Sequence, residues 1–138
     1  MREIKFRALD ENDEWIYGMP LTYVEYEEKE FPLMRNCDET GYWGIKKIHP
    51  KTLGQYTGLK DRNGVEIYEG DIIKDIDNRV HTVIYDSGMF GCYKTWLVSY
   101  ETGERRTSIE SLRNFLIDEA IVIGNIYENK ELLERESR

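Results

Sequence analysis

Apolar and polar residues alternate in short runs along this chain, and clusters of turn residues separate the runs. Residues 4–8 (Ile-Lys-Phe-Arg-Ala) alternate as a half-buried β-strand does. A polar turn follows at residues 10–13, and residues 14–18 form the next strand-like run. The two runs predict an N-terminal β-hairpin, and residues 31–34 are a further short strand candidate.

Turn signals become more frequent beyond residue 53. Asn63-Gly64 is a strong hairpin signal, because both residues tolerate the positive φ that a type I′ turn requires. Further turns are predicted at residues 69–71, 77–78, 86–88 and 102–103. The runs between the turns predict strands at residues 65–68, 72–76, 80–85, 89–93, 96–100 and 120–127.

One helix is predicted within this series of strands. Thr107 and Glu110 have the spacing of a capping box, in which each side chain satisfies a backbone N–H at the start of a helix. The apolar residues that follow share one helical face, so the pattern predicts a helix over residues 107–117. Gly124 in the closing strand predicts a bulge or close packing. Residues 130–136 are predicted to form a short, charged helical tail.

These elements together predict a mainly β protein with two domains. Residues 1–52 are expected to contain the N-terminal β-hairpin layer and a linker. Residues 53–138 are expected to form an SH3-like small β-barrel with one short helix, because short strands at near-regular spacing are typical of small barrels and sandwiches. The boundary is expected within residues 36–52, where Gly, Asp and Asn cluster and a Pro occurs.

Composition agrees with a folded domain and narrows the partners. A chain of 138 residues can bury a core without disulfides or metals. Hydrophobic residues make up 40% and charged residues 33%, which is typical of a globular protein. The net charge of −8 repels phosphate backbones and anionic membranes at long range, so nucleic acid and membranes are disfavoured as partners.

The sequence also predicts a cytoplasmic location. No run approaches the roughly 18 apolar residues of a membrane-spanning helix, and the first residues lack the apolar centre of a signal peptide. Cys37 and Cys92 are far apart and form no Cys-x-x-Cys pair. We expect two reduced thiols in a reducing cytoplasm, and a single disulfide between them is the alternative.

Residues 41–60 stand apart from the acidic remainder, since they contain four lysines and no acid. Basic residues interleaved with aromatic ones can bind a nucleic-acid strand by charge and stacking. The alternative is a linker whose lysines offset the acidic regions on either side, one of which includes the run at residues 25–30. The candidate interaction patch consists of Trp43, Lys46, Lys47, His49, Lys51 and Tyr56.

Catalytic and cofactor motifs are absent from the sequence, so no cofactor, metal site or catalytic residue is expected. His49 and His81 share no metal-ligand spacing, and each is expected to be a surface or half-buried side chain. Four carboxylates around two turns could hold a metal or act as an acid/base pair. Turn chemistry is the favoured interpretation, in which the carboxylates accept backbone N–H bonds. The four are Asp61, Glu66, Glu69 and Asp71.

Three segments resemble the YopX family of phage and prophage proteins. They are residues 4–8, the long motif QYTGLKDRNGVEIYEGDIIK at residues 55–74, and GNIYEN at residues 124–129. The chain departs from the family pattern at Leu9, where Trp is usual, and at Lys130, where Pro is frequent. The resemblance implies a mainly β protein without an established activity, so it carries no catalytic residue over to this chain.

Three functions follow as hypotheses. The favoured one is a non-enzymatic phage accessory protein that binds a host or phage protein and forms a homo-oligomer, because Tyr and Trp are frequent anchors of protein interfaces. The second is a nucleic-acid binder, or an acidic mimic of DNA. The third is a metal-dependent hydrolase that uses Glu66, Glu69 and Asp71.

Overall fold

The computed structural model describes residues 3–26, 29–37, 43–97, 99–115 and 117–136. The chain divides into two compact units, Met1–Gly58 and Leu59–Arg138. The sequence-based division after residue 52 stays a prediction. The predicted mainly β architecture is confirmed, since antiparallel strands form the sheets of both units. Among the described residues, no helix is long and apolar enough to cross a membrane.

The first unit is built on an antiparallel sheet with the strand order β4-β3-β2-β1-β5. Its β1–β2 pairing confirms the predicted N-terminal hairpin, and β3 contains the predicted strand at residues 31–34. A short 3₁₀ turn at Pro50–Thr52 precedes β5. The strands are β1 (Phe6–Leu9), β2 (Trp15–Tyr26), β3 (Lys29–Cys37), β4 (Trp43–Lys47) and β5 (Gly54–Lys60), which continues into the second unit.

The core of the first unit lies on one face of this sheet. Ala8 of β1 lies opposite Ile16 of β2, and Met34 of β3 lies on the same side. These side chains are buried together with Ile48. Because side chains alternate across a strand, the next residues of β2 point to the opposite face.

The second unit contains two three-stranded sheets, β11-β10-β9 and β12-β7-β8. The sheets of the described residues are open, so the predicted SH3-like barrel is not confirmed. The strands are β6 (Glu66–Tyr68), β7 (Asp71–Lys74), β8 (Val80–Thr82), β9 (Ile84–Asp86), β10 (Met89–Leu97), β11 (Arg105–Ser111) and β12 (Ile121–Asn125). The helix α1 (Glu131–Glu136) confirms the predicted helical tail.

A separate apolar cluster forms the core of the second unit. It draws on β6, β7 and β10, on the residue between β8 and β9, and on the segment between β11 and β12. Two 3₁₀ turns, Leu112–Phe115 and Ile117–Glu119, supply part of that segment. The buried members are Ile67, Ile73, Val83, Cys92, Leu112, Ile117 and Ala120.

The predicted helix at residues 107–117 is wrong. Thr107 and Glu110 lie in β11, where they pair with Thr95 and Cys92 of β10. The capping-box spacing is local, whereas β11 gains a ladder of seven paired residues along β10. The separate strands predicted at residues 89–93 and 96–100 are wrong for the same reason, because β10 runs unbroken and pairs with β11.

The type I′ turn occurs at a different position from the predicted one. Asn63 is not among the described residues with positive φ, so the predicted type I′ turn is wrong there. The connection is instead a three-residue loop that ends at Gly64, with φ of +79°. Ser87 and Gly88 both have positive φ and join paired residues of β9 and β10, which is the type I′ pattern. The bulge predicted at Gly124 is confirmed by a register shift in the β12–β7 pairing.

Candidate functional site

The basic side chains of the predicted patch lie beside the acidic turn that connects β1 and β2. Lys46 Nζ lies 3.8 Å from Asp10 Oδ2, and Lys47 Nζ lies 3.8 Å from Glu11 Oε1. The sequence interpretation in which lysines offset nearby acids therefore has a structural counterpart. Asp10 also accepts N–H bonds from the turn backbone. The Glu14 N–H contributes most, and together with the Asn12 N–H and the nearby Lys46 it holds the pKa of Asp10 below its usual value, against the effect of burial.

The other patch residues have different environments. His49 Nε2 lies 3.4 Å from Asp13 Oδ1, and Lys51 is exposed in the 3₁₀ turn. Tyr56 is buried, with 6% of its surface exposed, and Lys5 Nζ lies 5.0 Å from the centre of its ring. Trp43 belongs to β4, and its side chain lies outside the described part of the molecule. The patch as an interaction site stays a prediction.

The face of the first unit's sheet opposite its core carries exposed apolar side chains. We call it the outer face and define it by Tyr17, Met19, Leu21, Arg35 and Ile45. Its four apolar members expose 43%, 46%, 39% and 56% of their surfaces, in the order Tyr17, Met19, Leu21 and Ile45. Met19 pairs with Arg35, which pairs in turn with Ile45, so these three lie side by side across β2, β3 and β4. The sequence-based predictions do not include this face, although the alternating exposed positions Tyr17, Met19 and Leu21 of β2 indicate it.

Two of the four carboxylates proposed as a metal or acid/base set, Asp61 and Asp71, accept backbone N–H bonds, as turn chemistry predicts. Asp61, at 6% exposure, accepts N–H bonds from Asn63 and Val65 through Oδ1, at 2.8 and 2.9 Å. Its Oδ2 accepts the Val122 N–H at 2.9 Å. Asp71, at 1% exposure, accepts the Tyr68 N–H at 2.7 Å.

Glu66 and Glu69 are half-buried beside these turns. In the part of the chain that the structure describes, no group of three or more His, Cys, Asp or Glu side chains is placed to hold a metal ion. Glu66, Glu69 and Asp71 therefore do not come together as the metal site that the hydrolase hypothesis requires.

A histidine and an aspartate meet in the second unit. His81 Nε2 lies 2.8 Å from Asp75 Oδ2, and the two side chains are 16% and 11% exposed. The other oxygen of Asp75 accepts N–H bonds from Asp77 and Arg79, each at 2.9 Å. The ring of Phe115 packs on His81 with 4.5 Å between ring centres. His81 is thus half-buried, as the sequence predicted, but its contact with Asp75 was missed.

This pair lines an open cleft of about 300 Å³, which we call the His81 cleft. Both cationic and aromatic side chains contribute to its walls. The lining residues are Asp75, Ile76, Asp77, Arg79, His81, Tyr93, Lys94, Asn114 and Phe115. Residues from the β7–β8 turn, from β10 and from the first 3₁₀ turn after β11 therefore converge at one place.

The electrostatics of Asp75 fix the orientation of the histidine. Burial acts to raise the pKa of Asp75, but the hydrogen bond from His81 and the N–H bonds from Arg79 and Asp77 together hold it below its usual value. An ionised carboxylate only accepts hydrogen bonds, so Nε2 of His81 carries the hydrogen that Asp75 receives. Nδ1 is then the nitrogen of His81 available to another molecule, since the contacts of His81 within the described residues use Nε2 and the ring face.

Two further titratable groups lie near the core and the cleft. Cys92 is a free, fully buried thiol, and burial raises its pKa to about 12. The side chain of Cys37 lies outside the described residues, so the disulfide alternative is not tested. Tyr93 donates its hydroxyl hydrogen to Asp86 Oδ2 at 2.8 Å, and this bond raises the pKa of Tyr93.

Fold and site together define a mainly antiparallel-β protein of two compact units, with an apolar outer face in the first and a His–Asp cleft in the second. A family model described as YopX protein matches residues 5–134. The chain therefore belongs to the YopX family, and the resemblance inferred from its motifs is confirmed.

One solved structure resembles nearly the whole chain. It is the crystal structure of protein EF1440 from Enterococcus faecalis, which is 26% identical in sequence. The match covers 96% of this chain and 99% of that chain, with a TM-score of 0.52. No curated protein matches the sequence.

Proposed function

We propose that this chain is a non-enzymatic phage or prophage accessory protein that binds a partner protein through the outer face. The observation that carries the proposal is the set of four exposed apolar side chains on that face. Single exposed apolar residues are ordinary on protein surfaces, but neighbouring ones that form a patch indicate a contact surface. Tyr and Met are also enriched in the buried centres of protein interfaces.

Arg35 also lies in this surface. It is exposed and lies between Met19 and Ile45 in the strand register, so a partner that covers these apolar residues also covers the guanidinium group. Replacing Arg35 by an acidic residue places a carboxylate in the contact, and its desolvation opposes binding. We expect the partner to present apolar side chains to Met19 and Ile45.

The test begins with capture from bacterial lysate, with and without nuclease, followed by purification of the captured protein. Its dissociation constant is then measured by calorimetry against three variants of this chain. Met19→Ser combined with Ile45→Ser removes apolar contacts, and Arg35→Glu reverses the charge. Val65→Ser combined with Tyr100→Ser is the matched control, because both residues are exposed in the second unit.

We expect each outer-face variant to weaken binding by about tenfold or more, while the control binds as the unaltered protein does. Equal binding by all variants overturns the proposal. Capture that disappears with nuclease favours the nucleic-acid alternative instead. A homodimer that the Met19→Ser/Ile45→Ser variant disrupts identifies a second copy of the chain as the occupant, as the homo-oligomer hypothesis predicts.

A further inference from the structure

We propose that the His81 cleft binds a small ligand with an oxyanion group, phosphate or carboxylate, attached to an aromatic or apolar body. The oxyanion is held by Arg79 and Lys94, and the body packs on Tyr93, Phe115 and the ring of His81. All five residues line the same cleft. This inference concerns the second unit alone and does not depend on the outer face of the first.

The bond between Asp75 and His81 orients the histidine ring in the cleft. The turn that begins at Asp75 is already closed by Oδ1, which accepts the Asp77 and Arg79 N–H groups. The bond from Oδ2 to His81 is not needed to close it. That bond instead fixes the plane of a histidine ring that lines a cleft, leaving Nδ1 as the second nitrogen. Carboxylate-oriented histidines of this kind are preorganised to bind or exchange a proton with another molecule.

The second step is the cationic content of the cleft. Arg79 and Lys94 reach it from two different elements, the end of the β7–β8 turn and strand β10. Within the described residues, neither side chain forms an ion pair, whereas Lys46 and Lys47 in the first unit do. In a chain with a net charge of −8, two unpaired cations beside a histidine form a local site for an anion.

The third step concerns the acids at the same cleft. The Asp75 carboxylate is balanced by three hydrogen bonds, so it does not oppose an anion as a free carboxylate would. Asp77 is exposed, and the Asn114 amide donates to Glu110 Oε2 at 2.6 Å. Asp75 and Asp77 still carry negative charge, so Arg79 and Lys94 must hold a bound oxyanion against their repulsion.

The fourth step is the size and apolar character of the cleft. A volume of about 300 Å³ is at the lower end of small-molecule sites. Phe115 packs on the ring of His81, and Tyr93 exposes 54% of its surface. Inorganic phosphate alone would leave these aromatic faces uncovered. A ligand with a ring or a short apolar chain therefore fits better than a bare ion.

The experiment uses the full chain and four probes: phenyl phosphate, benzoate, inorganic phosphate and benzyl alcohol. Binding is followed by amide and histidine NMR shifts, which also locate the site. We expect phenyl phosphate or benzoate to shift His81 and Lys94 resonances with saturation, and inorganic phosphate to bind at least about tenfold more weakly. The stronger of the two aromatic anions identifies the oxyanion as phosphate or carboxylate.

Variants of the cleft residues distinguish a specific binding site from general attraction between anions and positive surface charge. Arg79→Gln with Lys94→Gln removes the cations, and we expect about a tenfold or greater loss of affinity. Lys60→Gln with Arg113→Gln is the matched control, because it removes the same charge at exposed positions outside the cleft lining. His81→Gln removes an aromatic ring from the cleft wall and is expected to weaken binding severalfold.

Three results overturn the proposal. One is that no probe produces saturable shifts at the cleft, and another is that benzyl alcohol binds as well as the two aromatic anions. The third is that the control pair weakens binding as much as Arg79→Gln with Lys94→Gln. Should the variants fail to fold, the localisation of probe shifts in the unaltered protein decides the question.

Discussion

The turns that begin at Asp61 and Asp75 have the same local construction and different connections to the molecule. In each, Oδ1 accepts the N–H groups two and four residues later, and the fourth residue of the turn has positive φ. The second oxygen makes the difference. Oδ2 of Asp61 accepts the backbone N–H of Val122 in β12, whereas Oδ2 of Asp75 accepts a bond from the His81 side chain.

A third turn of this construction begins at Asp10, whose Oδ1 accepts the Asn12 and Glu14 N–H groups. Its second oxygen faces Lys46 across 3.8 Å. The comparison shows that one oxygen makes the turn and the other decides its further role. That role is a connection to a distant strand for Asp61, an oriented side chain for Asp75, and a partly exposed ion pair for Asp10.

The largest expected effect is that of Asp61→Ala. The substitution leaves three backbone N–H groups without their acceptor, so we expect a loss of about 2–4 kcal/mol in the free energy of unfolding. Asp61→Asn keeps an acceptor oxygen for the turn and should cost about half as much. Chemical denaturation of both variants measures this. A loss below that of the corresponding Asp75 variants would contradict the structural role assigned to Oδ2 of Asp61.

The Asp75→Asn variant should have a smaller and acid-dependent effect. At neutral pH we expect a loss of about 1 kcal/mol, since the turn keeps Oδ1 and loses one charge-assisted bond to His81. The pKa of Asp75 in the folded protein lies below its usual value of 3.8. Its contribution is therefore complete above that value and is lost as the pH falls through the folded pKa.

The measurement is urea denaturation of the unaltered protein and of Asp75→Asn between pH 2 and pH 7. The stability difference should narrow as the pH falls below about 4. Asp10 is unchanged in both proteins and so cancels from the comparison. A difference that stays constant, or that widens in acid, would show that the Asp75 carboxylate does not stabilise the fold as an ion.

The smallest expected effect, that of Gly64→Asn, concerns the residue with positive φ in each turn. Gly64 has φ of +79° and no atom within 4 Å of an added Cβ, so a substitution there meets backbone strain and no clash. Asn78 has φ of 65° at the equivalent position. We expect Gly64→Asn to cost less than about 1 kcal/mol and Gly64→Val about 1–2 kcal/mol. Equal thermal stability of the two variants would remove the argument that this position selects Asn or Gly.

The sequence predicts local features of this protein well. The N-terminal hairpin follows from alternation in residues 4–8 and 14–18, and the bulge follows from Gly124 within an apolar strand. Both depend on neighbours a few residues apart. The predicted helix at residues 107–117 fails because its capping-box residues belong to β11, which pairs along its whole length with β10. That pairing is a tertiary preference, which no local spacing reports.

The same distinction between local sequence features and tertiary packing applies to the His81 cleft. Asp75 and His81 meet because the β7–β8 register places His81 opposite Ile73, two residues before Asp75 on the same face. This register was available from the turn between the strands, so the contact could have been predicted. Lys94 and Phe115 reach the cleft from separate elements. Their positions at the cleft depend on tertiary packing, which no motif in the sequence indicates.

The position of β4 at the edge of the first unit's sheet affects how the protein behaves at high concentration. An edge strand has backbone N–H and C=O groups without partners in the sheet. If its side chains are apolar, another chain can pair with it as an added strand, which is the first step toward a fibril. Lys46 and Lys47 end this strand and are held near Asp10 and Glu11. A second chain that extended the sheet would have to bury or displace the charges of Lys46 and Lys47. We therefore expect these lysines to oppose aggregation at an edge that lies next to the apolar outer face.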